Sequence, residues 1–267
     1  MAREFTYGPF KSRRLGLSLG IDVLPKSKKC TYNCVYCEIG STSMEKSQLV
    51  SPSYQVNIKP GLQFPKELKS IFKYVPHLDS LTFGYNGEPT LNHNLLKFLE
   101  VAQKVRGQFE WEGKRPIISL FTNSSTMGNS KIREKIKEFE VILAKLDSAT
   151  EKQFKRTNRP HPGTPSIKEI IESLTKLRKE LPKGHKLTIQ TLLYESYNNF
   201  PSNNNEKNFV HLARAISKIR PHKVQIYSIA RIPAEYYVHS IDNRRKQEVK
   251  KKLEELVGDD TIKIQYF

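Results

Sequence analysis

Along this chain of 267 residues, short apolar, β-rich runs alternate with longer amphipathic segments. That alternation restricts the fold more than any other feature. Strand patterns fall at 16–24, 78–83, 116–122, 141–146, 186–193 and 222–227, with a last one at 261–266. Helical patterns fall at 65–75, at 130–138, at 167–180 behind Ser166 as cap, at 206–219 and at 243–257. Asn92 reads as the N-cap of a further helix running to Val105. Residues 41–61 show no helical period and read as irregular, and 158–165 and 195–205 read as loops. Strand followed by helix, repeated about six times, predicts βαβ units, an α/β fold and a mostly parallel sheet. The pattern leaves open a doubly wound sheet or a full or partial barrel. Either form gathers ligands at the C-terminal ends of its strands. No stretch is rich enough in Pro, Gly or Ser to divide the chain, so 1–267 reads as one domain. Its core spans about 14–231, with 232–267 as a C-terminal extension.

Hydrophobic residues make up 37% and aromatic residues 10%, which excludes a wholly disordered chain. No apolar run approaches the ~20 residues of a membrane-spanning helix. The opening residues carry no apolar segment, so no secretory signal is expected and the cytoplasm is the expected compartment. Lys and Arg number 45 against 27 Asp and Glu, a net charge of +18. Such a surface attracts polyanions, whether nucleic acid or anionic lipid. The plainer reading is a Lys-rich solvated surface, since many lysines alternate with Glu on helices.

Only three cysteines occur, Cys30, Cys34 and Cys37, all within eight residues. An odd, clustered set is not a disulfide framework. A loop of this length can wrap three thiolates around one metal centre. An iron–sulfur cube normally takes four thiolates, so three leave one iron open to another ligand. Lys26, Lys28 and Lys29 are expected to favour the thiolate forms. A structural zinc site wants four ligands in close pairs. There is no fourth Cys, and the next His is His77.

Cys30-Thr31-Tyr32-Asn33-Cys34-Val35-Tyr36-Cys37, with an aromatic residue before the last Cys, resembles the signature of radical S-adenosylmethionine (SAM) enzymes. The resemblance implies a partial (β/α)6 barrel of the radical SAM type with short terminal extensions. It also implies a 4Fe–4S cluster on Cys30, Cys34 and Cys37, with SAM on the open iron and Tyr36 against its adenine. The implied chemistry is reductive cleavage of SAM to a 5′-deoxyadenosyl radical that abstracts hydrogen from a substrate. A one-electron donor such as flavodoxin or ferredoxin would be the partner. The stretch Tyr7-Gly8-Pro9 … Ser12-Arg13-Arg14-Leu15-Gly16 … Ser18-Leu19-Gly20-Ile21 is similar to a narrower group often labelled as relatives of the wyosine-tRNA synthases. The second cluster on which those synthases rely needs thiolates that this chain lacks.

Asn86-Gly87-Glu88 stands where the superfamily holds a Gly-Gly-Glu motif that grips the SAM amino group, with Asn86 in place of the first Gly. By the same resemblance Thr122-Asn123 would bind the SAM carboxylate or ribose; an ordinary helix-capping turn is the other reading. Lys145 and Asp147 share one face of a strand end, where ribose hydroxyls and the methionine carboxylate would match their charges; a simple ion pair is the other reading. Gln190 and Gln225 interrupt apolar strands and either face the cavity or are satisfied core amides. Arg159 and His161, in Asn158-Arg159-Pro160-His161-Pro162, and Arg231 are the substrate-side candidates. Arg suits phosphate or carboxylate, and His161 is the candidate acid or base.

The net charge makes tRNA or other RNA the first substrate class, with an anionic metabolite second. An activase that installs a glycyl radical on a partner protein is the alternative enzyme, since it too can work with one cluster. A zinc-containing nucleic-acid-binding module is the non-enzymatic alternative. Iron and sulfide, as against zinc, separate them.

Overall fold

The computed structural model describes residues 3–25, 27–42 and 47–267. Lys26 lies outside the described residues. Eight strands form one sheet in which spatial order equals chain order: β1 (Thr6–Ser12), β2 (Gly16–Ile21), β3 (Ser80–Phe83), β4 (Ile117–Thr122), β5 (Val141–Lys145), β6 (Lys186–Leu192), β7 (Lys223–Tyr227) and β8 (Lys263–Tyr266). Strand β1 pairs antiparallel with β2, and every later pairing is parallel. Helix α1 (Gln63–Tyr74) follows β2, α2 (Leu95–Arg106) follows β3, and α3 (Ser130–Ile136) follows β4. The short α4 (Glu151–Thr157) and α5 (Ile167–Glu180) follow β5, α6 (Glu206–Ile219) follows β6, and α7 (Asn243–Val257) follows β7. A doubly wound sheet reverses its strand order at a switch point. This sheet never reverses, so it winds as a barrel does. The order ends at β1 and β8 without joining them, so the barrel is open.

The two faces of the sheet differ in chemistry. Leu19, Ile21, Leu81, Phe83, Ile118, Leu120, Ile142, Ala144, Leu187, Ile189, Val224 and Ile226 alternate along the strands and are all fully buried in the core cluster. The amphipathic stripes of the helices feed the same cluster, with Phe64 and Leu68 from α1, Phe98 from α2, Leu174 and Leu177 from α5, and Phe209 and Leu212 from α6. Each such side chain contributes about 1.5–3 kcal/mol by leaving water. The opposite face carries Ser18, Gly20, Ser80, Thr82, Ser119, Thr188, Gln190 and Gln225. The hydroxyls of Ser80, Thr82 and Ser119 bond one another at 2.9–3.2 Å. Parallel strands buried on both faces normally read as unbroken apolar runs; here small polar residues line the concave side and leave it fit for a polar ligand.

Several boundaries depart from the sequence pattern for identifiable reasons. Strand β2 stops at Ile21 because the Asp22 carboxylate accepts the Leu24 amide at 2.8 Å and turns the chain. Asn92 does not cap a helix. Pro89–Leu91 forms a short 3-10 turn, and α2 begins behind Asn94. The Asn92 amide is spent on the carbonyls of Val23 and Ile58, and its oxygen accepts the Asn94 amide. Within the stretch expected to be irregular, Ser47–Leu49 pairs with Lys28–Cys30 as a short parallel ribbon. Residues 232–267, expected as an extension, supply α7 and the edge strand β8, which pairs with β7. Among the described residues no helix is long and apolar enough to cross a membrane.

Candidate metal centre

The cysteine loop follows β2, Asn86-Gly87-Glu88 follows β3, Asn123 follows β4 and Asp147 follows β5. All therefore reach the same end of the sheet, as the topology predicts for a ligand site. The strand Lys28–Cys30 is held on one side by residues 86–88. The Lys29 amide donates to the Asn86 carbonyl at 3.0 Å, and the Glu88 amide donates to the Lys29 carbonyl at 2.9 Å. Gly87 sits at φ +116°, and a Cβ there would lie 1.8 Å from the Lys29 oxygen. Only glycine lets the two segments approach this closely. On the other side, the amides of Asn33 and Val35 donate to the carbonyls of Asn158 and Thr157, and the His161 amide donates to Thr31. Backbone bonds thus hold the cysteine loop from both flanks.

Each thiol has a nitrogen donor beside it. Asn123 Nδ2 lies 3.5 Å from Cys30 Sγ, Asn158 Nδ2 3.4 Å from Cys34 Sγ, and Lys28 Nζ 3.3 Å from Cys37 Sγ. The expectation that three lysines favour the thiolates is not met at Cys30 and Cys34, where burial favours the neutral thiol. Lys28 reaches a sulfur, whereas Lys29 bonds Gln48 instead. Burial pushes the Cys30 thiol up to about 12 and the Cys34 thiol up to about 11, each reinforced by the neighbouring thiols. A metal binding here must therefore displace protons.

Among the described residues no three His, Cys, Asp or Glu side chains close on a point that would hold a single ion. A structural zinc site takes four ligands, and among the described residues no His, Asp or Glu joins the three thiols. The thiolates of a 4Fe–4S cube each bind a different iron, so they need not converge on one atom. Three thiols, each with an N–H donor aimed at sulfur, fit a cube with one open corner.

Glu88 is fully buried, and its carboxylate is occupied by protein donors. Oε1 accepts from the Thr90 amide and hydroxyl and from Thr122 Oγ1, and Oε2 accepts from the Asn123 amide at 2.6 Å. Burial raises its pKa, against these bonds. The side chain ties the loop after β3 to the end of β4, and so places Gly87 against Lys29 and Asn123 against the Cys30 sulfur. Asn86 donates to Asp22 at 2.6 Å.

Lys145 and Asp147 do meet, at 3.6 Å. Asp147 accepts from Tyr36 Oη, from Asn158 Nδ2 at 2.8 Å and from the Leu192 amide at 2.8 Å. Lys145 donates to Tyr227 Oη at 2.6 Å and lies 4.7 Å above the Tyr36 ring. Burial works to lower the Lys145 pKa, and the charge of Asp147, with Tyr227 and Cys34, outweighs it and leaves it raised. This buried network fixes Tyr36, and with it the end of the cysteine loop. Gln190 and Gln225 are in register and bond each other at 2.9 Å.

The substrate-side candidates lie around the same loop, each engaged by the protein. Arg159, at φ +44°, pairs with Glu235 and donates to Tyr237 Oη at 3.0 Å. The Glu235 amide in turn donates to the Val35 carbonyl. His161 Nδ1 accepts the Gly163 amide at 3.0 Å, closing its own turn. Arg231 pairs with Glu38, next to Cys37, at 3.2 Å and stays largely exposed. Sequence reasoning missed Asn158, which touches Cys34, Tyr36 and Asp147. The loop that holds it was noticed for its basic residues, and no periodicity marks a buried loop Asn. Its place after the unit built on β5 was the one available signal.

The family described as the Radical SAM superfamily matches residues 24–201. A UPF0026 protein of Methanocaldococcus jannaschii is 29% identical over 97% of this chain and 74% of its own length. A structure of TYW1 with a lysine-pyruvate adduct bound covers 89% of this chain and 73% of its own, at TM-score 0.60 and 16% identity. SuiB of Streptococcus suis bound to S-adenosylmethionine covers 91% of this chain at TM-score 0.58 and 11% identity. This chain spans 49% of SuiB. At those identities the two structures speak for the fold.

Proposed function

The chain belongs to the radical SAM superfamily, and from that premise we propose that it is a single-cluster radical SAM enzyme acting on an anionic substrate. The observation that carries the reading is the set of three thiols, each with its own nitrogen donor, on a loop held from both flanks. Cys30, Cys34 and Cys37 would hold a 4Fe–4S cluster, and SAM would take its open iron. When bound, the pair supplies one-electron cleavage of SAM and hydrogen abstraction from the substrate.

The protein's part is positioning and exclusion of water. Lys28, Asn123 and Asn158 donate to sulfur and so stabilise charge on the ligand set. Glu88 orients the backbone at Asn86 and Gly87, which is the surface available to a ligand ammonium. Tyr36, held by Asp147 and backed by Lys145, offers a ring for the adenine, and Gln190 lines the concave face beside them. Arg159, His161 and Arg231, around the cysteine loop, are the residues offered to the substrate.

The charge of +18 makes RNA, tRNA first, the leading substrate class, with an anionic metabolite next. It equally suits an acidic one-electron donor of the flavodoxin or ferredoxin kind, in the cytoplasm. Anaerobic reconstitution tests the proposal. It predicts about four iron and four sulfide per chain and an electron paramagnetic resonance signal that changes when SAM is added. Zinc in place of iron, or a signal indifferent to SAM, would contradict it.

A further inference from the structure

The turn joining β1 and β2 sends one side chain, Arg14, across the concave face. Its guanidinium carbon lies 4.2 Å from the centroid of Tyr227, on β7, and 5.7 Å from that of Phe121, on β4. These two strands are separated by β5 and β6, so the guanidinium sits between opposing walls of the open barrel. Nη1 is buried and has no hydrogen-bond partner among the described residues. A charged donor left unmade in the interior is costly, and proteins rarely keep one without a compensating anion.

Among the described residues no carboxylate pairs with Arg14, and the Phe267 main-chain oxygen accepts from Lys246 instead. Asp147, beside Lys145, already accepts from Tyr36, Asn158 and Leu192. Lys145 bonds the hydroxyl of the same Tyr227 on which Arg14 stacks, so two cations meet on one ring. Further along the same face, Lys186, Lys223 and Lys263 stand on adjacent strands, with Lys223 and Lys263 in register. Burial and those two like charges push the Lys223 pKa down. Like charges set side by side in a sheet destabilise it. Lys186 and Lys263 are exposed at the strand starts, so the cations facing the proposed site itself are Arg14 and Lys145 on the one Tyr227 ring.

We infer that Arg14 is the anchoring residue for a carboxylate or phosphate group of the substrate, received on the concave face against Tyr227. An arginine fork matches both groups with two parallel hydrogen bonds. The guanidinium reaches Tyr227 at the C-terminal end of β7, the end at which the cysteine loop leaves β2. Lys145 is the cation over the Tyr36 ring, so the second cation on Tyr227 is assigned to the substrate and not to SAM. That assignment rests on the function proposed above; the anion site itself does not.

Thermal unfolding of the anaerobically reconstituted protein, with inorganic phosphate and with succinate as probes, tests the site. In the wild type one of the two should raise Tm by about 5 °C at a hundredfold excess over its Kd. Arg14→Met should show no such rise, and its Tm without anion should not fall below that of the wild type, because the unmade donor is gone. Arg14→Lys should keep the anion-free Tm and bind the probe at least tenfold more weakly, having lost the fork. An Arg14→Met protein of lower Tm that still responds to the probe would make Arg14 a mere latch and overturn the inference. An equal response in all three proteins would place binding at surface lysines and overturn it too. So would the absence of any response in the wild type. Should Arg14→Met fail to fold, unchanged affinity in Arg14→Lys is the refuting result. Binding of SAM and of decarboxylated SAM separates the two sources of anion. Equal SAM affinity in wild type and Arg14→Met supports the substrate assignment. A loss confined to SAM would assign the site to the methionyl carboxylate and overturn it. SAM cleavage is measured separately, so failure of the parent proposal is distinguishable.

Discussion

Gly87→Ala should damage the metal centre through the backbone alone. The alanine Cβ would fall 1.8 Å from the Lys29 carbonyl oxygen, one residue before Cys30, at φ +116°. The backbone conformation costs an L-residue about 1–2 kcal/mol. Separating the segments to relieve the collision also breaks the bonds from Lys29 to Asn86 and from Glu88 to Lys29, at about 1 kcal/mol each. The sum is about 3–4 kcal/mol. At 2–4 °C per kcal/mol for a chain of this size, Tm should fall by about 6–16 °C. Gly184→Ala is the control, because Gly184 also has positive φ, +91°, but nothing lies within 4 Å of its Cβ position. It should cost about 1–2 kcal/mol, from conformation alone. Circular dichroism melts of the apo proteins give both values, and iron stoichiometry after reconstitution reports the loop. Equal losses in the two variants, or full iron in Gly87→Ala, would refute the claim that residues 86–88 hold Cys30 in place.

Asn158→Leu removes the donor shared by Cys34, Tyr36 and Asp147 and should destabilise by about 2–4 kcal/mol in urea unfolding; a change under 0.5 kcal/mol, the range of a neutral surface substitution, would discredit that network. Lys28→Met removes the ammonium 3.3 Å from Cys37 Sγ. At roughly 6 Å from the cluster charge and an effective dielectric near 20, its loss is worth about 2–3 kcal/mol. Potentiometric titration of the reconstituted protein should then show a midpoint lower by on the order of 100 mV. Glu67 accepts five hydrogen bonds, from the amides of Glu4, Phe5 and Thr6, the Thr6 hydroxyl and Gln63. Burial opposes them, but they hold its carboxyl below the usual range. The folded state thus favours the carboxylate, so the stabilisation is complete above the ordinary Glu pKa and is lost as pH falls through and below it. Acid titration of stability should be steeper below about pH 4.5 in the wild type than in Glu67→Gln, and parallel curves would contradict this.

The parts of the fold that read clearly from sequence are those with strong periodicity. Helices α5, α6 and α7 lie where the apolar spacing puts them, because each buries one continuous stripe. Strand β1 gave no such signal: Phe10 and Lys11 lie exposed at the sheet's edge, and its pairing with β2 slips between Tyr7 and Phe10. Helix α4 is seven residues long, too short for a period to register. At the site, residue types and spacing brought the cysteines, residues 86–88 and Asn123 to one end of the sheet. What spacing could not convey is which side chains hold one another. Glu88 is spent entirely on Thr90, Thr122 and Asn123, and Asp147 on Tyr36, Asn158 and Leu192. Apart from Thr90, two residues from Glu88, and Asn158, eleven from Asp147, these are long-range pairings that only the wound sheet brings together, as is the crossing of Arg14 to Tyr227.

The most direct measurement is formation of 5′-deoxyadenosine by the anaerobically reconstituted protein given dithionite and SAM, with Cys34→Ala as control. The wild type should release 5′-deoxyadenosine and methionine together, and the variant neither. A wild-type sample holding a full cluster that binds SAM yet leaves it intact, with tRNA and anionic metabolites supplied, would contradict the proposed chemistry.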